Sequence, residues 1–136
     1  MNKATLPEAY KALAKGEYAL QNAEYDLRGG FYLATANRAY YTCFYCMTAL
    51  LYTKNTFAKT HQGVQSRFAE LFIKTNEFPA TVSAIINDLF DNRQEADYDL
   101  EAAVTLDEAT GLLQKAAEFL KLTKAYFDAL PKPEGE

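Results

Sequence analysis

The segment from residue 106 to 130 repeats apolar or small side chains at steps of three and four, and this periodicity constrains the fold more than any other feature. The stripe comprises Ala109, Leu112, Ala116, Phe119, Thr123, Tyr126 and Leu130. Such a stripe on a helix needs other helices to cover it. Comparable stripes occupy four earlier segments, and no long stretch alternates with the period of a strand. The sequence therefore predicts an all-α fold, an up-and-down bundle of four to five helices.

The length of 136 residues suits one domain, and the apolar content of 49% is enough for a core. We predict a single helical domain over residues 1–130. The last residues, PKPEGE at 131–136, lack an apolar stripe, and we predict a disordered tail there.

The formal net charge of -4 argues against a generally basic nucleic-acid binder, although a local basic site remains open. No apolar run approaches the roughly 20 residues that a membrane span needs. The first residues are amphipathic and lack the apolar core of a signal peptide. We therefore predict a cytoplasmic protein without a membrane partner.

Two cysteines, Cys43 and Cys46, form a C-x-x-C motif, a spacing that can bind metal or carry redox chemistry. Here the motif lies within a helical stripe, without a second cysteine pair and with one histidine in the chain. We predict that both are small buried residues. No metal site and no cofactor are expected.

The stretch NRQEADYD, residues 92–99, places charge on an apolar stripe. Arg93 stands where the next core residue should fall, and Asp97 follows one turn later, at the spacing of an ion pair. Three interpretations remain open: a solvated pair where the helix leaves the core, an Arg93 whose stem packs on Phe90, or a polar pocket. In the last, the guanidinium would suit a phosphate, with the Tyr98 hydroxyl beside it.

Two further groups are candidate ligand-binding residues. Arg38 and Tyr41 share a polar and aromatic face of the second helix, which either packs on neighbouring helices or faces the same pocket as Arg93. Lys59 and His61 flank the start of the third helix. They either belong to its capping region or help the helix N-terminus to receive an anion.

Three sequence blocks together resemble the HEPN family (higher eukaryotes and prokaryotes nucleotide-binding). They are NRAYYTCFYCMTALL (37–51), KTHQGVQSRFAELFIKT (59–75) and LFDNRQEADYD (89–99). The resemblance covers roughly residues 5 to 130. It implies a helical bundle that usually forms a homodimer. It also implies a frequent partner, a minimal nucleotidyltransferase, and several such pairs act as toxin and antitoxin.

In ribonuclease members of that family, an arginine is followed after four to six residues by a histidine, and the motif cleaves RNA without a metal. Arg93 matches the arginine. The matching later positions hold Tyr98, Asp99 and Leu100, none of which is the histidine that would move protons near neutral pH. Candidate catalytic residues are therefore Arg93, Tyr98 and His61.

The leading interpretation is a module that binds a nucleotide, RNA or a nucleotidyltransferase partner in a toxin-antitoxin-like system, with a polar site around Arg93, Asp97 and Tyr98. One alternative is a metal-independent endoribonuclease toxin that acts as a homodimer. A second alternative is a purely structural interaction module, in which the Arg93–Asp97 pair fixes helix register.

Overall fold

The structure, a computed structural model, describes residues 6–98 and 103–131, and for residues 92–98 it describes the helical backbone alone. These residues form five α-helices: α1 (Leu6–Arg28), α2 (Tyr32–Thr53), α3 (His61–Phe68), α4 (Thr81–Tyr98) and α5 (Leu106–Asp128). No strand occurs within them. The predicted all-α bundle is confirmed. The predicted tail at 131–136 lies, beyond Pro131, outside the described residues.

Helix α2 packs against each of the other four helices. Its buried side chains are spread around the helix because small and apolar residues occupy more than one face. A helix that is apolar on several sides is stable only when it is surrounded. The small and apolar residues on several faces of this segment therefore account for its central position.

Helices α1 and α2 form a hairpin whose helices lie very close together. Gly30 adopts a positive φ of 82° in the turn, a conformation that glycine takes without strain. Farther along α1, a Cβ atom at Gly16 would lie 3.4 Å from both Cys46 Sγ and the Thr42 carbonyl oxygen. Small residues on this face of α1 thus set the distance between the two helices.

Threonine side chains begin two of the helices, as the sequence pattern indicates. The Thr105 hydroxyl accepts a hydrogen bond from the Glu108 backbone N–H, and the Glu108 carboxylate accepts one from the Thr105 N–H. The Thr60 hydroxyl accepts from the backbone N–H of Gly63 at 2.9 Å. Each cap satisfies backbone donors that the first turn of a helix leaves without partners.

An aromatic cluster fills the core between α3 and α5. Phe68, Phe72, Phe78 and Phe119 are almost fully buried, and most of their rings meet edge to face. A π-helical segment, Ala69–Ile73, continues α3 and carries Phe72, whose ring stacks on that of Phe68. Edge-to-face pairs add stabilisation beyond the burial of their area.

We expect Phe119→Ala to lower the free energy of unfolding by about 3–5 kcal/mol, because truncation of a buried phenylalanine leaves a cavity. Tyr18→Ala is the matched control, since Tyr18 is 59% exposed on α1. Its effect should stay within about 0.5 kcal/mol. Urea unfolding followed by circular dichroism measures both, and equal midpoints for the two variants would contradict this account of the core.

Candidate functional site

The direction of α3 determines where the single histidine of the chain lies. Tyr40, in the first half of α2, contacts His61 at the start of α3. Near the end of α2, Lys54 Nζ donates a hydrogen bond of 3.3 Å to the Leu71 carbonyl in the π-helical segment. Helix α3 therefore runs in the same direction as α2. The connection at residues 54–60 returns the chain along α2 and places the N-terminus of α3 beside its aromatic face.

His61 lies among three aromatic side chains of α2, and together these four residues, Tyr40, Tyr41, Phe44 and His61, form what we call the His61 cluster. The imidazole stacks on the Phe44 ring, with the ring centroids 4.4 Å apart. The Tyr41 ring meets it edge to face at 5.9 Å. The Tyr40 hydroxyl and His61 Nδ1 are joined by a hydrogen bond of 2.5 Å.

The cluster is enclosed on one side and open on another. Tyr40 is 1% exposed, whereas Tyr41, Phe44 and His61 are half-buried. The imidazole is therefore held by aromatic packing and by its hydrogen bond to Tyr40, yet part of it reaches the surface. This combination fixes the orientation of a ring that can still meet a ligand.

Arg38 adds positive charge at the edge of the cluster. Its guanidinium carbon lies 5.2 Å from the centroid of the Tyr41 ring, within the range of a cation–π interaction. Arg38 Nη2 also donates to Asn37 Oδ1 at 3.1 Å. The predicted residues Arg38, Tyr41 and His61 are thus brought together, with Tyr41 between the other two.

Helix α4 reaches the cluster through Phe90, whose ring centroid is 6.0 Å from that of Tyr40. The α4 backbone continues as a helix to Tyr98, so residues 93 and 97 follow Phe90 by about one and two turns. The structure does not describe the side chains of Arg93, Asp97 and Tyr98. Their roles as site residues stay predictions.

Lys59, a predicted ligand-binding residue, lies apart from the His61 cluster. It is exposed, two positions before His61, and no contact between described side chains joins it to the cluster. Its charge acts there only through space, and solvent screens such an interaction.

Sequence reasoning missed Tyr40 as a site residue because the helical pattern puts it on the apolar face. The ring is indeed buried, but the helical pattern does not account for the hydrogen bond of the hydroxyl. A buried tyrosine needs a hydrogen-bond partner, and this need was the available signal. Phe44 and Phe90 were also missed, since a phenylalanine on a helix gives no sign that it borders a site.

Comparison with known proteins decides the family. A sequence model of the HEPN domain matches residues 9–126. This chain belongs to the HEPN domain family. The resemblance carried by the three sequence blocks is confirmed.

Relatives of this HEPN protein cover most of its length. A Methanocaldococcus jannaschii protein named as a toxin candidate is 41% identical over 119 residues, 88% of this chain and 81% of its own. Another protein of that archaeon, similarly named, is 29% identical and covers 91% of this chain and 92% of its own. A UPF0332 protein of Thermotoga maritima is 26% identical over 83% of this chain and 86% of its own.

The two cysteines of this HEPN domain are buried free thiols, as predicted. Burial raises the pKa of Cys46 to about 12 and raises the pKa of Cys43 well above its ordinary value. Across the described residues, no group of three His, Cys, Asp or Glu side chains is arranged to hold a metal ion. Within the same residues, no helix has the length and apolar character needed to cross a lipid bilayer.

We expect both thiols of the folded protein to resist a water-soluble disulfide reagent at about pH 8. The thiolate is the reactive form, and a pKa of about 12 leaves only roughly one Cys46 in ten thousand ionised at that pH. The absorbance of the released thiol reports the reaction. In denaturant both cysteines should react within the mixing time or shortly after. Rapid labelling of the native protein would show that α1 does not stay packed over Cys46.

Proposed function

We propose that this HEPN protein is a toxin-like module that binds a nucleotide or RNA through the His61 cluster, Arg38 and the Arg93 turn of α4. The supporting observation is that the first and second family blocks meet in the Tyr40–His61 hydrogen bond. Phe90, from the last block, joins the same cluster. Residues distant in sequence therefore converge on one half-buried polar and aromatic surface.

The chemistry of this surface suits a nucleotide. A guanidinium donates hydrogen bonds to phosphate oxygens in a planar fork. Half-buried aromatic rings such as Tyr41 can stack on a base without selecting its identity. Because the whole chain carries a net charge of -4, binding depends on this local arrangement rather than on a general basic surface.

The toxin role rests on the relatives. Two archaeal proteins that cover most of this chain are named as toxin candidates. We therefore propose that this protein works in the cytoplasm as a homodimer and that a nucleotidyltransferase-domain protein is its antitoxin partner. Co-expression of the two, with growth of the host as the measurement, tests the pairing.

A second candidate function is a metal-independent endoribonuclease. The observation that favours it is the position of His61. No histidine follows Arg93 at the motif spacing, but His61 belongs to the cluster that α4 reaches through Phe90. An imidazole there can move protons near neutral pH, and Arg93 would stabilise the charge that develops on the phosphorane.

We expect Arg38→Ala and Arg93→Ala each to weaken binding of a fluorescent single-stranded RNA by about tenfold, since each removes one charge-assisted contact to phosphate. Fluorescence anisotropy at low salt measures the affinity. Arg67→Ala is the matched control, because Arg67 is an exposed arginine of α3 that pairs with Glu70. Equal affinities for all three variants would reject this binding surface.

If the endoribonuclease candidate is right, the wild-type protein will cleave RNA in the presence of EDTA. Arg93→Ala and His61→Ala will then each lower the rate by a factor of about 100 or more. Gel analysis of the RNA products follows the reaction. Absence of cleavage by the folded wild-type protein would leave the binding module as the function, while full activity of His61→Ala would exclude the proton-transfer role.

A further inference from the structure

The half-buried face of α2 extends well beyond the His61 cluster. Five residues at steps of three and four along this helix are neither core nor fully exposed: Arg38, Tyr41, Tyr45, Thr48 and Tyr52. We call this surface the outer stripe of α2. At about 1.5 Å per residue, it is about 20 Å long. The His61 cluster therefore occupies only one end of a longer surface.

Helices α1 and α3 both pack on α2 and border this stripe on opposite sides. On the α1 side, a Cβ atom at Gly16 would lie 3.4 Å from the Thr42 carbonyl oxygen and 3.5 Å from Tyr45 Cβ. On the α3 side, the His61 ring stacks on Phe44. The helical period places the outer stripe between these two contacts. It is thus the floor between two helical walls, a shape that suits an extended chain.

Aromatic rings occur at two levels of the outer stripe. Near the His61 cluster, the ring centroids of Tyr41 and Tyr45 lie 6.1 Å apart. At the far end, the Tyr52 ring lies 5.1 Å from that of Phe57, which is 60% exposed. Accessible rings of this kind stack on bases of any identity. Bases of one strand can therefore stack at both levels.

Positive charge accompanies the rings near the His61 cluster. Lys15 Nζ, from α1, lies 5.8 Å from the centroid of the Tyr45 ring, and Arg38 stands over the neighbouring ring. Among the described residues, neither Lys15 nor Arg38 forms an ion pair. Cations beside aromatic rings match the phosphates and bases of a single strand. Because this chain carries a net charge of -4, a nucleic acid complements these cations better than a second copy does.

Between the two aromatic levels stand two half-buried polar side chains. Thr48 follows Phe44 by about one turn of α2, and Gln65 follows His61 by about one turn of α3. Since the two helices run in the same direction and the Phe44 and His61 rings stack, Thr48 and Gln65 lie at the same level. Thr48 Oγ1 and Gln65 Nε2 are buried, and no described group forms a hydrogen bond with either. Such atoms are costly, which favours rotation of the side chain toward a base edge in the stripe.

We propose that the outer stripe of α2 is a second binding subsite, which takes a single-stranded RNA where the strand leaves the His61 cluster. Tyr45 and Tyr52 stack on bases, Lys15 binds a phosphate, and the Gln65 amide donates a hydrogen bond to a base edge. The inference rests on the proposed function. It narrows the ligand from a nucleotide to a single strand several nucleotides long.

Two labelled RNA probes distinguish this subsite from the His61 cluster: a 5′-phosphorylated dinucleotide and a single strand of about eight nucleotides. For the wild-type protein, fluorescence anisotropy should show tighter binding of the longer probe, because two subsites hold one strand. Tyr45→Leu keeps apolar bulk beside α1 but removes the ring. It should weaken binding of the longer probe by about tenfold and leave the dinucleotide unaffected. Tyr45→Phe keeps the ring and should bind both probes like the wild type.

The role of Lys15 has a separate readout, the dependence of affinity on salt. A lysine that binds one phosphate contributes about 0.7 to the slope of log affinity against log salt for a single strand. Lys15→Ala should reduce the slope for the longer probe by about this amount. The matched control, Lys121→Ala, removes an exposed lysine of α5 and should leave the slope unchanged. Equal slopes for the two variants would reject the phosphate contact.

The hydrogen bond from Gln65 is tested by Gln65→Met, which keeps the length of the side chain and removes the amide. We expect this variant to bind the longer probe about fivefold more weakly, the effect of one lost hydrogen bond. Gln114→Met is the matched control, because Gln114 is an exposed glutamine of α5. Equal affinities of the two variants would exclude Gln65 as a donor to the RNA.

The two proposals fail in different ways. If the wild-type protein binds neither probe and does not bind ATP, the proposed function is wrong and this inference falls with it. If the wild type binds both probes equally tightly, a result that needs no variant, the His61 cluster remains the binding site and the second subsite is wrong. Full affinity of folded Tyr45→Leu for the longer probe has the same meaning. If that variant also changes the mass in sedimentation, the outer stripe is instead a contact between copies of the chain.

Discussion

Burial of α2 on several faces is the constraint on which the rest of the structure depends. The close approach of α1, which Gly16 permits, covers the side that carries Cys46. Helices α3, α4 and α5 pack elsewhere on α2. Because one helix contacts all the others, a change in its position would move the core and the His61 cluster together. The cluster thereby gains rigidity from packing that serves stability.

The helical pattern was sufficient to predict the fold class and much of the core. The stripe that contains Phe119 and the Thr105–Glu108 capping box are local signals, and local structure follows from them. The π-helical segment could not be predicted in this way. Val64, Phe68 and Phe72 are spaced by four residues, which fits an α-helix as well as a π-helical turn.

The candidate site was predicted only in part, for a physical reason. Arg38, Tyr41 and His61 could be singled out by residue type, but their meeting depends on the direction in which α3 runs along α2. That direction is set by tertiary packing around the connection at residues 54–60, and no periodicity encodes it. His61, which shares a hydrogen bond with the Tyr40 hydroxyl, stands 21 positions away, beyond the reach of any local pattern.

The short sequence span of the His61 cluster has a consequence for the order in which the chain can fold. Tyr40 and His61 are separated by 21 residues, so the entropy lost in closing this loop is modest. Phe119, which completes the aromatic core, lies much later in the chain. During synthesis from the N-terminus, α2 and α3 can meet before α5 has emerged from the ribosome. The part of the proposed binding surface that α2 and α3 supply can then form while the nascent chain is still attached to the ribosome.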